Sequence, residues 1–197
     1  MRPDWDKVYK KGPHWERKHS KAIEDFVRYL EKRDKVLDLG CGSGRDVVFL
    51  ARNGFDVYGI DISKEAIKKA RNKIKEKGLK AYFDVGDLTA LKFENNFFDA
   101  IYSNAVLNFT LLQESCSEIY RILKKDGLAY LIFLLDYIPL FNDGKNKEDH
   151  SFYPEDLILQ TYKNSKFNII YSKKFLSLDL GGEKPHKHNI LNLLLKK

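Results

Sequence analysis

The chain has 197 residues, 43% of them hydrophobic, and a formal net charge of +7 at pH 7. This length suits one domain with a sizeable core. No apolar run reaches the roughly 18 residues of a membrane helix, and the first residues contain no apolar signal-peptide core. The two cysteines, Cys41 and Cys116, make no disulfide framework. The composition therefore predicts a single cytoplasmic domain and argues against a membrane or disulfide-stabilised protein.

The N-terminal segment, residues 1–19, precedes the first predicted core element. Its tryptophans, Trp5 and Trp15, can either stack on a ligand or pin the segment to the core. The next segment, residues 20–32, has apolar residues at helical spacing, which predicts a helix packed on a sheet. These residues are Ile23, Phe26, Val27 and Leu30.

Residues 36–46 form the most informative motif, an apolar strand followed by three alternating glycines and a helical run. Glycine lets the backbone turn sharply and approach a ligand closely, and the helix that follows points its N–H groups at the same place. A dinucleotide fingerprint would need glycine at position 45 or 47, and a phosphate loop would need a Gly-Lys-Ser/Thr ending. Neither is present, so the motif predicts another kind of cofactor-binding loop.

Two carboxylates follow at the ends of predicted strands. The strand 56–61 ends at Asp61, and the strand 81–87 ends in Gly-Asp-Leu with Asp87. A carboxylate at the carboxyl end of the second strand can accept both hydrogen bonds of a ribose diol. Read without the other motifs, Asp61 is also compatible with a helix lead-in that has Ser63 as N-cap, and Asp87 with an ordinary loop acid.

Two further strands complete the first half of the chain. One covers residues 98–104 and ends at Asn104, and the other follows the turn at Gly127. In this order, the motifs of residues 36–135 resemble those of class I S-adenosylmethionine-dependent methyltransferases, beginning with the acid-x-Gly-x-Gly-x-Gly pattern led by Asp38.

The resemblance implies S-adenosylmethionine as cofactor, with S-adenosylhomocysteine as product, and no metal. It places the methionine part at the glycine loop, the ribose at Asp61 and the adenine amino group at Asp87. Cys41 is expected in the loop for its small size, with a catalytic thiol as the alternative. The predicted cofactor-binding residues are Asp38, Gly40, Cys41, Gly42, Gly44, Asp46, Asp61, Ile62, Asp87, Leu88 and Asn104.

The rest of the chain alternates between helical and strand patterns. Helices are predicted within 63–78, 111–123 and 153–162, and strands at about 167–180 and 188–195. The last two strands lie too close for a helical crossover, so they should be antiparallel. The pattern predicts an open, doubly wound α/β fold whose mostly parallel seven-stranded sheet has helices on both faces and a C-terminal antiparallel hairpin strand.

Ligands of such sheets bind beyond the carboxyl ends of the parallel strands. The domain is therefore expected to divide into a cofactor-binding half, 36–135, and a substrate-side half, 136–197, with residues 1–19 as a lid. The segments 103–109, 136–152 and 179–188 should form the substrate rim. The predicted loop at the start of the substrate-side half carries aromatic and histidine residues that suggest a functional cover. They are Tyr137, Phe141, His150, Phe152 and Tyr153.

His186 and His188 should share one face of a strand, because their spacing is i, i+2. They can contact the substrate, one can act as a general base, or they can bind a metal with His150. Two polar residues at a strand entrance are the simpler interpretation, and we favour it over metal binding.

These features favour methyl transfer to a small-molecule acceptor, with no catalytic residue identified. The lysines are interspersed with acids, which is typical of a solvated face, although a basic surface also fits RNA or protein methylation. A non-catalytic S-adenosylmethionine-binding protein is the other alternative. A polyamine synthase fits less well, because no paired acids flank an amine site.

Overall fold

The computed structural model describes residues 3–13, 18–136, 138–139, 152–179 and 186–197. Within these ranges eight strands form one sheet. The strands are β1 (Lys35–Leu39), β2 (Asp56–Asp61), β3 (Tyr82–Val85), β4 (Phe98–Asn104), β5 (Leu123–Leu134), β6 (Ile138–Pro139), β7 (Asn168–Asp179) and β8 (His186–Lys196).

The helices lie between these strands, apart from the first two, which precede β1. They are α1 (Trp5–Lys11), α2 (Lys21–Phe26), α3 (Arg45–Arg52), α4 (Lys64–Glu76), α5 (Leu112–Ile122) and α6 (Glu155–Asn164), with short 3₁₀ turns at Val27–Tyr29 and Leu107–Phe109. The longest has 13 residues. Within the described part of the chain, then, no helix has the length and apolar character to cross a membrane.

The sheet confirms the predicted topology. The main strands follow the order β3-β2-β1-β4-β5-β8-β7, and the first five of these strands are parallel. β8 runs antiparallel to both β5 and β7, which gives the predicted C-terminal hairpin. The predicted seven strands are present, and the two-residue β6 adds a short eighth one beside β8.

The strand order also locates the ligand crevice. The chain moves outward from β1 to β2 and β3, and then returns to place β4 on the other side of β1. At such a switch point, the loops that follow the two strands diverge to opposite faces and leave a crevice above the carboxyl ends. The glycine loop follows β1 and therefore lies at this crevice.

Helices cover both faces of the sheet, as predicted. On one face α5 and α6 pack against a cluster that includes Ile119, Phe133 and Tyr162. On the other face α2, α3 and α4 pack against a second cluster that includes Phe26 and Leu50. Full burial of each large apolar side chain contributes about 1.5–3 kcal/mol, so the two clusters fix the strands that end at the crevice.

The helix predicted over residues 20–32 is shorter than expected. α2 ends at Phe26, a 3₁₀ turn follows, and Leu30 is extended. The Asp34 carboxylate accepts the N–H of Glu31 in a turn that leads directly into β1. The helix stops because the chain must reverse there to enter the sheet. The packing part of the prediction is confirmed, since Ile23 and Phe26 are fully buried.

Candidate active site

The glycine loop is held against the end of β2 by backbone hydrogen bonds. The N–H groups of Gly40 and Cys41 both donate to the carbonyl oxygen of Ile60, at 2.8 and 2.9 Å. Gly40 has φ +79°, and a Cβ built on it would lie 2.5 Å from both γ-methyl carbons of Val106. Gly44 has φ +77° and begins α3 as its N-cap. The loop therefore needs glycine at these positions for both backbone conformation and space.

Asp61 ends β2 beside this loop and is 7% exposed. Its Oδ2 accepts the N–H of Gly42 at 2.9 Å, and its Oδ1 accepts the N–H of Ser63 at 2.9 Å. Burial raises the pKa of Asp61, whereas these backbone hydrogen bonds lower it. Each carboxylate oxygen can accept more than one hydrogen bond, so this carboxylate can also receive the hydroxyl groups of a ligand.

Ser63 serves the adjacent helix as well. Its hydroxyl oxygen accepts the N–H of Ala66 at 3.1 Å, which makes it the N-cap of α4. Asp61 can therefore be part of the lead-in to this helix and also bind a ligand. Ile62, which lies between Asp61 and Ser63, is 42% exposed at the edge of the crevice.

Asp87 lies beyond the end of β3, the strand next to β2. Its Oδ1 accepts the N–H of Thr89 at 2.9 Å and the Thr89 hydroxyl at 2.8 Å, so part of its role is to shape its own turn. Leu88 is 5% exposed and packs in the core. Both residues are on the carboxyl side of the sheet, where the sequence predicted the adenine site.

Asp46 in the first turn of α3 faces the N-terminal segment. Its Oδ1 accepts the N–H of Ser20 at 2.6 Å, and its Oδ2 lies 3.5 Å from Nε of Arg45. Burial raises the pKa of this carboxyl. Asp38, which leads the glycine motif on β1, is 3% exposed. The Ser20 contact ties the start of α2 to α3, a function the sequence did not suggest.

The end of β4 turns sharply back toward the glycine loop. Asn104 is partly exposed, and the next residue, Ala105, has φ +58°, which is uncommon for a residue with a side chain. This turn brings Val106 onto Gly40. Asn108 then fixes the end of β5, because its side-chain amide exchanges two hydrogen bonds with the backbone of Leu134.

Helix α1 lies at the same edge of the sheet. The ring of Trp5 contacts Phe109 edge-on at 5.0 Å between centroids. Asp6 accepts hydrogen bonds from Ser63 and Glu65 at the start of α4, and Lys69 donates to the carbonyl oxygen of Tyr9. Trp5 therefore attaches the N-terminal helix to the body of the domain, which was one of the two interpretations of this residue.

The histidines of β8 lie on the opposite side of the crevice, beside the end of β5. The rings of His186 and His188 are 4.7 Å apart, which confirms that they share a face. Nδ1 of His188 is 2.5 Å from the carbonyl oxygen of Asp136. The Asp136 carboxylate accepts both the backbone and the side-chain N–H of Asn189, at 2.7 and 2.6 Å.

Aromatic residues extend this side of the rim. The ring of Phe152 lies 6.5 Å from that of His188, and the Tyr153 hydroxyl donates to the carbonyl oxygen of Thr110 at 2.6 Å. Trp15, Tyr137, Phe141 and His150 lie outside the described residues. Among the residues that are described, no three His, Cys, Asp or Glu side chains are grouped so as to hold a metal ion.

Comparisons with known proteins agree with this geometry. Residues 36–127 match the family model of a methyltransferase domain. The matched range begins at β1 and contains the glycine loop, Asp61, Asp87 and the end of β4. The matched segment is similar to a methyltransferase domain, and the strand order and the crevice agree with the fold of class I S-adenosylmethionine-dependent methyltransferases.

Individual relatives share part of the chain. An uncharacterized methyltransferase from Synechocystis sp. is 31% identical over 122 residues, which cover 60% of this chain and 55% of the relative. The sterol 24-C-methyltransferase of Saccharomyces cerevisiae is 26% identical, over 86% of this chain and 51% of the relative. The chain thus spans about half the length of these curated relatives.

A solved structure gives a fuller overlap. The structure of a SAM-dependent methyltransferase from Methanosarcina mazei superposes with a TM-score of 0.72 at 23% identity, covering 91% of this chain and 98% of that chain. At this identity the similarity shows a shared fold.

Sequence reasoning placed some of these residues in the rim segments but did not predict their contacts across strands. Val106 packs on Gly40, Asn108 holds β5, Asp6 contacts the start of α4, and Asp136 binds Asn189. None belongs to a local motif, and each depends on the sheet bringing distant segments together. A carboxylate just after a strand was the only available signal, and it applies to Asp136.

Proposed function

We propose that this chain transfers a methyl group from S-adenosylmethionine to a small-molecule acceptor. The observation that carries the proposal is the Asp61 carboxylate, held between the N–H groups of Gly42 and Ser63 at the mouth of the crevice. A fixed carboxylate offers hydrogen-bond acceptors to a diol. The N–H groups of the adjacent glycine loop and helix start offer donors to the other end of the same ligand.

The assigned contacts follow from this placement. Asp61 holds the ribose diol, and Gly40, Gly42 and Gly44 let the backbone approach the methionine part, beside Asp38, Cys41 and Asp46. Asp87 receives the adenine amino group, with Leu88 adjacent to it, and Ile62 lies along the ring. The exposed side chain of Ile62 next to Asp61 supports this arrangement, as does the location of Asn104 at the end of β4 beside the loop.

The bound sulfonium would supply an already activated methyl group. The protein then has to hold the acceptor in line with that group and exclude water, which accounts for much of the acceleration in such transfers. The packed junction of Gly40 and Val106 fixes the floor of the site. A base is required only for an acceptor that loses a proton, and no residue is assigned to that step.

The acceptor side is proposed to be the rim formed by Phe109, Phe152, His186 and His188. Aromatic and imidazole groups there suit an organic molecule better than a polymer backbone. Relatives named for methylating sterols and squalene support a small-molecule acceptor. The first 19 residues are proposed to form a cover, since α1 contacts segments that follow both β2 and β4.

Cofactor binding can be measured by titration calorimetry with S-adenosylmethionine, S-adenosylhomocysteine and NAD. We expect micromolar-scale affinity for the first two ligands. Asp61→Ala should weaken this affinity by about 1–3 kcal/mol, because the ribose hydroxyls lose a charged acceptor. Tight NAD binding without binding of the sulfonium cofactor would contradict the proposal, and full affinity in Asp61→Ala would remove this residue from the site.

The acceptor class can be found by incubating the protein with methyl-tritiated S-adenosylmethionine and a cell extract separated into small-molecule, RNA and protein fractions. Label should accumulate in the small-molecule fraction. Label in RNA or protein would favour those alternatives, and cofactor binding with no transfer to any fraction would favour a non-catalytic binding protein. Salt-sensitive RNA binding without label would reflect only the basic charge.

A further inference from the structure

Asp6 connects the N-terminal helix to the cofactor-binding half of the domain. Its Oδ1 accepts the Ser63 hydroxyl at 2.6 Å and the backbone N–H of Glu65 at 3.1 Å. These hydrogen bonds hold the pKa of Asp6 below its ordinary value. The Asp6 side chain is therefore a carboxylate near neutral pH, placed at the positive N-terminal end of α4.

Ser63 joins Asp6 to the carboxylate at the centre of the site. Its backbone N–H donates to Oδ1 of Asp61 at 2.9 Å, while its hydroxyl donates to Asp6. One residue thus links a carboxylate of the crevice to a carboxylate of α1. A displacement of α1 that pulled on Ser63 would also disturb the position of Asp61.

The other contacts of α1 show where the helix lies. Lys69 of α4 donates to the carbonyl oxygen of Tyr9, and the ring of Trp5 packs on Phe109 beyond the end of β4. α4 follows β2, and β1 lies between β2 and β4 in the sheet. α1 therefore connects the two sides of the glycine loop at the carboxyl edge of the sheet.

We propose that Asp6 is a positioning residue for the cofactor. Through Ser63 it holds Asp61 in place and keeps α1 over the crevice, so that release of the product S-adenosylhomocysteine requires the contact between Asp6 and Ser63 to open. This role of Asp6 rests on the proposed function, in which Asp61 binds the ribose. A role in capping α4 alone would affect stability and leave the release rate unchanged.

Trp5 provides a fluorescent reporter on α1. Since the chain contains two tryptophans, Trp15→Phe leaves Trp5 as the single one. In this background, stopped-flow fluorescence can follow S-adenosylhomocysteine as it is displaced by excess S-adenosylmethionine. Asp6→Ala should release the product about tenfold faster. Asp6→Asn should stay close to the parent rate, because its amide oxygen can still accept both hydrogen bonds.

Two further variants test the link itself. Ser63→Ala keeps the backbone N–H to Asp61 but loses both the hydroxyl to Asp6 and the N-cap of α4, so it should speed release and also lower the melting temperature. If the two residues act through one contact, the double variant should release the product no faster than Asp6→Ala. Lys11→Ala, an exposed change in the same helix, should have no effect.

The outcomes separate this proposal from the one on which it rests. Parent release rates in both Asp6→Ala and Ser63→Ala would overturn the role of Asp6, and a lower melting temperature with an unchanged rate would assign it to helix capping. If Asp6→Ala does not fold, Ser63→Ala decides alone, and a parent release rate in that variant would overturn the role of Asp6. Unchanged cofactor affinity in Asp61→Asn would instead overturn the assignment of the ribose.

Discussion

The Val106 side chain occupies the space that a side chain on Gly40 would need, because both of its γ-methyl carbons lie 2.5 Å from a Cβ built there. Gly40 directly follows the first strand and Val106 follows the fourth, so the contact joins the ends of two neighbouring strands at the crevice. The glycine is therefore required by packing as well as by its φ of +79°.

Gly40→Ala should destabilise the fold by roughly 2–5 kcal/mol, as the sum of a strained backbone and an overpacked contact. Gly54→Ala is the matched control, since Gly54 has φ +87° with no atom within 4 Å of the added Cβ. It should cost only about 1–2 kcal/mol. Chemical denaturation measures both changes, and Val106→Ala should recover part of the loss in Gly40→Ala. Equal losses at Gly40 and Gly54 would show that Val106 moves aside freely.

A second prediction concerns the pH dependence of cofactor binding. Burial raises the pKa of Asp61 above its ordinary value of 3.8. Because the ionised form accepts the ribose hydroxyls, affinity for S-adenosylmethionine should fall on acidification while the pH is still above 3.8. Acidification has the opposite effect on the folding stability of the apoprotein. The folded state binds this proton more tightly than the unfolded state, so the group adds stability as the pH falls.

Calorimetric titrations at a series of pH values, with circular dichroism to confirm folding, test this dependence. Asp61→Asn removes the titrating group and should give weaker binding that no longer changes over this range. An acid-induced loss of affinity that persists in Asp61→Asn would assign the titration to another group.

Local patterns and long-range contacts differ in how far the sequence predicts them. The strand at Asp56–Asp61 has the predicted bounds, and the helix at Arg45–Arg52 begins where the glycine motif predicted a helical run, because periodicity and glycine are local signals. The contacts of Val106 and Asp6 depend on strand order and on a turn at Ala105 with positive φ. No spacing along the chain encodes such contacts. The position of the site in the fold was therefore predictable from the sequence, and the contacts that hold its residues in place were not.

His188 and His19 are predicted to be opposite neutral tautomers. Nδ1 of His188 faces the carbonyl oxygen of Asp136 at 2.5 Å, and a carbonyl only accepts, so Nδ1 carries the proton. Nε2 of His19 lies 2.7 Å from the Glu24 carboxylate, so Nε2 carries the proton there. Long-range ¹H–¹⁵N correlation spectra above the histidine titration range should show the two patterns. A proton on Nε2 of His188 would contradict its hydrogen bond to Asp136, and a proton on Nδ1 of His19 would contradict its hydrogen bond to Glu24.

Arg121 is predicted to be the main anchor of the segment between the third and fourth strands. Its guanidinium donates to both carboxylate oxygens of Glu118 at 2.7 Å and to the carbonyl oxygens of Phe93 and Leu91 at 2.6 and 2.8 Å. Arg121→Lys keeps the charge and loses the planar fork, which should cost about 1–3 kcal/mol of unfolding free energy. Denaturant titration measures the loss, with Arg52→Lys at an exposed helix position as the control. Equal midpoints for the two variants would show that a single ammonium group holds this segment as well as the guanidinium does.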